Sequence, residues 1–117
     1  MKEYLLLFRN STGTDGYLTT SEDMANDMPL WQGWIGQIAM QGKLVSTAPV
    51  EFAGSRVLKE TILNGAHREI ENVMLTGYLI CKGYSLEEVQ ELSKNCPILK
   101  YPNSSVEIRP LIPFPSN

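Results

Sequence analysis

Two segments of this chain are apolar on both faces of an extended strand, and this constrains the fold more than any other feature. In Tyr4-Leu5-Leu6-Leu7-Phe8, side-chain alternation sends Tyr4, Leu6 and Phe8 one way and Leu5 and Leu7 the other. Val73-Met74-Leu75-Thr76-Gly77-Tyr78-Leu79-Ile80-Cys81 is apolar on both faces in the same manner. Left in water, either face of such a pair would add to a contiguous apolar patch of roughly several hundred Å2, which is unusual for a monomer. Both faces therefore need cover.

The patterned segments follow a definite order. A strand over Glu3 to Phe8 comes first, then an amphipathic stretch over Glu22 to Gln41. Extended segments follow, ending in the Val73 to Cys81 strand. A short capped helix over Leu86 to Cys96 and a strand over Ser105 to Pro110 complete the chain. The order β-α-β-β-α-β predicts an α+β fold, a ferredoxin-like βαββαβ with a four-stranded antiparallel sheet. Two helices cover only one face of such a sheet. A second copy packed sheet to sheet would cover the other, giving a homodimeric α+β barrel. The alternative is that the apolar tail Leu111-Ile112-Pro113-Phe114-Pro115 folds over that face.

Local signals place the helix ends. Ser21 is the expected N-cap of the first helix, with Glu22 and Asp23 in its first turn. Met24, Met28, Trp31, Ile35 and Ile38 form its apolar stripe. Pro29 is expected to kink the helix or to restart it with Asp27 as cap. Gly33 and Gly36 are expected to admit the close approach of another backbone. Gln41-Gly42-Lys43 reads as a stop. Lys43-Leu44-Val45 and Arg56-Val57-Leu58 read as short strands, separated by a loop with Pro49 and Gly54. Asn64-Gly65 is a tight-turn signal. Ser85-Leu86-Glu87-Glu88 is a capping box, Leu86, Val89, Leu92 and Cys96 are the buried stripe behind it, and Pro97 ends it.

Composition excludes several classes of function. The 117 residues, 43% hydrophobic and 20% charged, suit a single domain over 1–117. The net charge is -3 and the bases are scattered, which argues against nucleic acid. No apolar run reaches the roughly 18 residues of a membrane span. The start of the chain lacks the order of a signal peptide, so a cytoplasmic location is expected. Cys81 and Cys96 have no metal-ligand spacing and there is one histidine, so neither a metal nor another cofactor is expected. Reduced, partly buried thiols are the expectation for both. The Gly13 and Gly16 loop is not followed by Gly-Lys-Ser/Thr, as a phosphate loop would require.

Few residues have the chemistry of a site. His67 is the one group that titrates near neutrality by default. In an extended segment, Glu69 would lie on the same side and could orient the imidazole as a general base. The simpler reading is a solvated loop histidine. Trp31 lies on the helical stripe and reads as core, whereas Trp34, beside it, is a candidate cleft wall. Arg9 and Arg56 are candidates for binding an anionic group, or simple surface charges. Glu22, Asp23 and Asp27 read as helix-start acids, and Glu87, Glu88 and Glu91 as a solvated face.

These segments, taken in order, resemble the YCII-related domains, also called the DGPF family. The matching pieces are Met1 to Phe8, the Trp-bearing helix into Gln41-Gly42-Lys43-Leu44, Asn64-Gly65, Gly77-Tyr78, Ser85-Leu86-Glu87-Glu88, Asn95-Cys96-Pro97 and Ser105 to Pro110. The resemblance implies a dimeric ferredoxin-like α+β barrel, and in some relatives an Asp-His pair in a cleft. The family's Asp-Gly-Pro-Phe reads here as Asn64-Gly65-Ala66-His67, and an amide cannot act as a base. The leading expectation is a dimeric small-molecule-binding or non-catalytic domain. One alternative is a cofactor-independent enzyme acting on a small cyclic substrate. It would use His67 and Glu69, with Asn64 or Arg56 polarising an oxygen. A structural or protein-interaction dimer is the other.

Overall fold

The computed structural model describes residues 1–13, 16–17, 21–51, 53–65 and 73–115. The elements are β1 (Lys2–Gly13), β2 (Gly16–Tyr17), α1 (Ser21–Met40), β3 (Leu44–Pro49), β4 (Gly54–Val57), β5 (Ile62–Gly65), β6 (Val73–Gly83), α2 (Leu86–Ser93) and β7 (Ser105–Pro110). A short 3-10 turn, Pro97–Lys100, joins α2 to β7. The fold is α+β. Four strands form the main antiparallel sheet in the order β3-β6-β1-β7, and the two-residue β2 pairs with the tip of β1. The two strands that are apolar on both faces, β1 and β6, thus lie at its centre.

Register sorts their side chains. Tyr4 pairs with Cys81, Leu6 with Leu79, and Phe8 with Gly77. These residues face the helices, and all are buried. Trp34 and Ile38 of α1, Val89 of α2, Cys96 and Ile98 complete the core. On the other face, Leu5 pairs with Ile80, Leu7 with Tyr78, and Arg9 with Leu75 beyond a bulge. Leu5, Leu7, Leu75, Tyr78 and Ile80 are only half-buried there.

The tail does not supply their cover. The Leu111 amide donates to the Glu3 carbonyl at 2.9 Å, after which Ile112 and Phe114 are 91% and 96% exposed.

The helix termini follow local chemistry. Gly42 has φ 71°, the left-handed conformation that glycine adopts without a Cβ clash. The Gly42 amide donates to the Ala39 carbonyl and the Lys43 amide to that of Ile38, a Schellman stop. At α2 the Ser85 hydroxyl accepts from the Glu88 amide at 3.1 Å. The reciprocal half of the box is displaced by one residue: Glu88 Oε2 accepts from the Tyr84 amide rather than from Ser85. The Lys43 ammonium donates to the other Glu88 oxygen. These interactions hold the Glu88 carboxyl below its ordinary pKa, the Lys43 hydrogen bond contributing most.

Several expectations are corrected. The first helix does not restart at Pro29, so of the two alternatives the one with Asp27 as a cap falls, and Asp27 is an interior residue. Ser21 is itself the first helical residue. Met28, placed on the apolar stripe by spacing, is 55% exposed. Among the described residues, nothing lies within 4 Å of the position a Cβ would take at Gly33 or Gly36, so no described backbone packs against them there. The first strand continues past Phe8 to Gly13, and the second helix ends at Ser93, before Cys96. Asn64-Gly65 is not the tight turn. Both lie in β5, which pairs with β4 in a separate hairpin. That hairpin turns at Leu58–Thr61, where the Leu58 amide donates to the Thr61 carbonyl at 2.8 Å. No helix is long and apolar enough to cross a membrane among the described residues.

A candidate ligand cleft between the first helix and the sheet

The inward alternation of β1 extends beyond the core. Tyr4, Leu6 and Phe8 are followed on the same face by Asn10, which pairs with Met74 of β6 and is 7% exposed. Above this end of the sheet, α1 turns Asp27, Trp31, Trp34 and Ile38 inward. Their spacing of 4, 3 and 4 is a helical stripe with a carboxylate at its leading end. Between the two lies a cleft of about 370 Å3.

Five elements line the cleft. Phe8 and Asn10 come from β1, and Asp27, Met28, Trp31 and Ile35 from α1. Thr47 to Val50 line it at the end of β3, and Thr76 and Gly77 in β6. Ile98 and Tyr101 close it from the 3-10 turn and the residue after it. The lining is mostly apolar. Phe8, Trp31 and Trp34 meet edge to face, with ring centroids 5.2 to 6.0 Å apart. This arrangement suits the quadrupoles of the rings and stiffens one wall.

Most polar groups at the cleft are already bonded. The Thr47 hydroxyl donates to the Tyr78 carbonyl at 2.8 Å, and the Thr76 hydroxyl to that of Phe8 at 3.1 Å. Lys100 donates to one oxygen of Asp27, and the Tyr101 hydroxyl donates to the other. Asp27 is 5% exposed, and burial alone would raise its pKa. The bonds from Lys100 and Tyr101 outweigh burial and hold the carboxyl below its usual range. Burial and the neighbouring carboxylate raise the Tyr101 phenol, so it stays a donor at neutral pH.

Arg9, Arg56 and Asn64, singled out from sequence, lie away from the cleft. Arg9 is on the opposite face of the sheet, donating to Glu107 Oε1 at 2.7 Å. Arg56 and Asn64 are exposed on the β4–β5 hairpin, where Asn64 Oδ1 accepts from the Ser55 hydroxyl at 2.5 Å. His67 and Glu69 lie outside the described residues. The two tryptophans exchange the roles expected of them. Trp34 is 6% exposed and its indole N–H donates to the Leu92 carbonyl at 3.1 Å, tying α1 to α2 in the core. Trp31 is the one that lines the cleft.

Sequence reasoning missed Asp27, Tyr101 and Asn10. Two of them carried a signal. Asp27 continues the Trp31, Trp34, Ile38 stripe by one turn, and Asn10 continues the alternation of Tyr4, Leu6 and Phe8. Among the described residues, no group of three His, Cys, Asp or Glu side chains comes together to hold a metal ion. Compared with known proteins, the chain matches no family model and no curated protein.

Proposed function

We propose that this chain is a small-molecule-binding domain without catalytic chemistry at its cleft, acting as a homodimer on a ferredoxin-like frame related to the YCII-related domains. One observation carries the binding reading. A cleft of about 370 Å3 falls within the range of roughly 300–1,000 Å3 typical of ligand pockets, with apolar walls and few polar groups. Its carboxylate, Asp27, has both oxygens engaged by Lys100 and Tyr101, and is held ionised. A group so committed anchors a wall of the site and is a poor proton acceptor.

The frame is supported by the strand order β3-β6-β1-β7, with one helix after β1 and one after β6. The dimer is supported by the half-buried residues Leu5, Leu7, Leu75, Tyr78 and Ile80, which share the helix-free face. A second copy of the same face would cover them.

The binding reading is tested by titrating the 15N-labelled protein with tetralin, a neutral fused-ring hydrocarbon. Saturable amide shifts at Phe8, Thr47, Gly77 and Ile98, together with the Trp31 indole, are expected. Shifts confined to the helix-free face, or no saturable shift, would overturn it.

A further inference from the structure

We infer that Asn10 is the specificity residue of this cleft, and that the ligand is a neutral, largely apolar ring compound bearing a carbonyl oxygen that Asn10 receives. The inference rests on the binding reading above and names the chemical class that the cleft selects.

Asn10 is 7% exposed and lines the cleft. Its Oδ1 accepts from the Ser11 amide at 2.8 Å, which fixes the orientation of the side-chain amide. The Nδ2 group then carries two N–H donors. Among the described residues it has no hydrogen-bond partner. A donor withdrawn from water and left without an acceptor is unfavourable, and native structures tolerate few of them. Among the described residues, Thr47 and Thr76 donate to carbonyls and Asp27 and Tyr101 bond each other, while the Trp31 indole N–H is on a side chain only half-buried. Among the described residues, Asn10 is therefore the deeply buried cleft side chain with donors left for a ligand.

Charge sets the rest of the class. The Asp27 carboxylate is offset by Lys100, and none of the described residues lining the cleft is cationic, so they offer nothing to attract an anion. A cationic ligand would have to displace Lys100 from Asp27. The edge-to-face aromatic wall of Phe8 and Trp31 favours a flat ring. A ketone, lactone, ester or amide on such a ring meets all three conditions.

The probes are 1-tetralone and tetralin, which share a fused-ring skeleton and differ in the carbonyl. Affinities are read from amide shifts in the wild type and in Asn10→Ala. Losing one buried hydrogen bond should weaken tetralone binding roughly tenfold in Asn10→Ala and leave tetralin within about twofold. A second reading needs no variant. In the wild type, the Asn10 side-chain amide protons should move downfield with tetralone and not with tetralin. If Asn10→Ala affects the two probes alike and the Asn10 amide does not respond to the ketone, the inference is overturned while the binding reading stands. If neither probe saturates the cleft, the binding reading fails and this inference fails with it.

Discussion

The hydroxyl of Tyr101 donates to a carboxylate oxygen of Asp27 across 74 positions of sequence, pinning the residue after the 3-10 turn to the N-terminal half of α1. Lys100 holds the other oxygen. The cleft keeps its shape because two distant pieces of chain share this one carboxylate.

This pair should make stability depend on acid. The folded-state pKa of Asp27 is lowered, so its contribution is present above the unfolded value of about 3.9 and is lost as pH falls through the folded value. Tyr101→Phe removes a donor to the charged form and should cost about 1–2 kcal/mol at pH 7. The difference from wild type should shrink between pH 7 and an acid pH low enough to protonate Asp27 in the folded state. Urea unfolding at the two pH values measures this. An equal loss at both would mean that the hydroxyl stabilises the fold independently of the carboxylate charge.

Gly33 sits in the interior of α1, exposed, and none of the described residues comes within 4 Å of the position a Cβ would take. Gly33→Ala should therefore stabilise the protein by about 0.5–1 kcal/mol, because alanine loses less backbone entropy in a helix. Thermal unfolding of the variant reads the sign. A destabilised variant would reveal a neighbour packed against this face of α1.

Cys81 and Cys96 are buried in the core. Burial pushes the Cys81 thiol up to about 11, helped by Glu88, and the Cys96 thiol up to about 12. Thiolate is the reactive form, so a folded sample at pH 8 should resist iodoacetamide, and both residues should label on unfolding. Mass spectrometry after a timed exposure gives the count. Rapid labelling of either one in the native protein would contradict its place in the core.

Leu7 lies on the helix-free face of the central strand, opposite Tyr78. If that face is the dimer interface, Leu7→Lys should halve the mass seen by light scattering and leave the circular dichroism of the fold unchanged. A wild-type protein that is monomeric at tens of micromolar would remove the dimer from the proposal.

Much of the fold was legible because its signals are local. Ser85 caps α2 through an amide three residues away, and Gly42 stops α1 within one turn. Alternation marked the Tyr4–Phe8 and Val73–Cys81 segments as strands apolar on both faces, and the structure places both at the centre of the sheet. The Ser105–Pro110 strand was read with the bounds it has in the structure.

The site was not legible in the same way, because its geometry depends on non-local partners. Asp27 resembles any helix-start acid until Lys100 and Tyr101 arrive from the far end of the chain. Trp31 and Trp34 are three positions apart on one helix, so both face the sheet. Which one enters the core was decided by the Leu92 carbonyl on another helix, and which one walls the cleft by where the 3-10 turn docks. Asn10 followed a loop-like composition, yet pairing with Met74 keeps it in the sheet and turns its amide inward. The sequence by itself determined the two helices, the stop of α1 at Gly42, the cap of α2 at Ser85 and the strands over Tyr4–Phe8, Val73–Cys81 and Ser105–Pro110, since side-chain period and backbone capping act over a few residues. Only the tertiary structure decided which side chains share the cleft, since that follows from packing between segments whose separation along the chain carries no local signal.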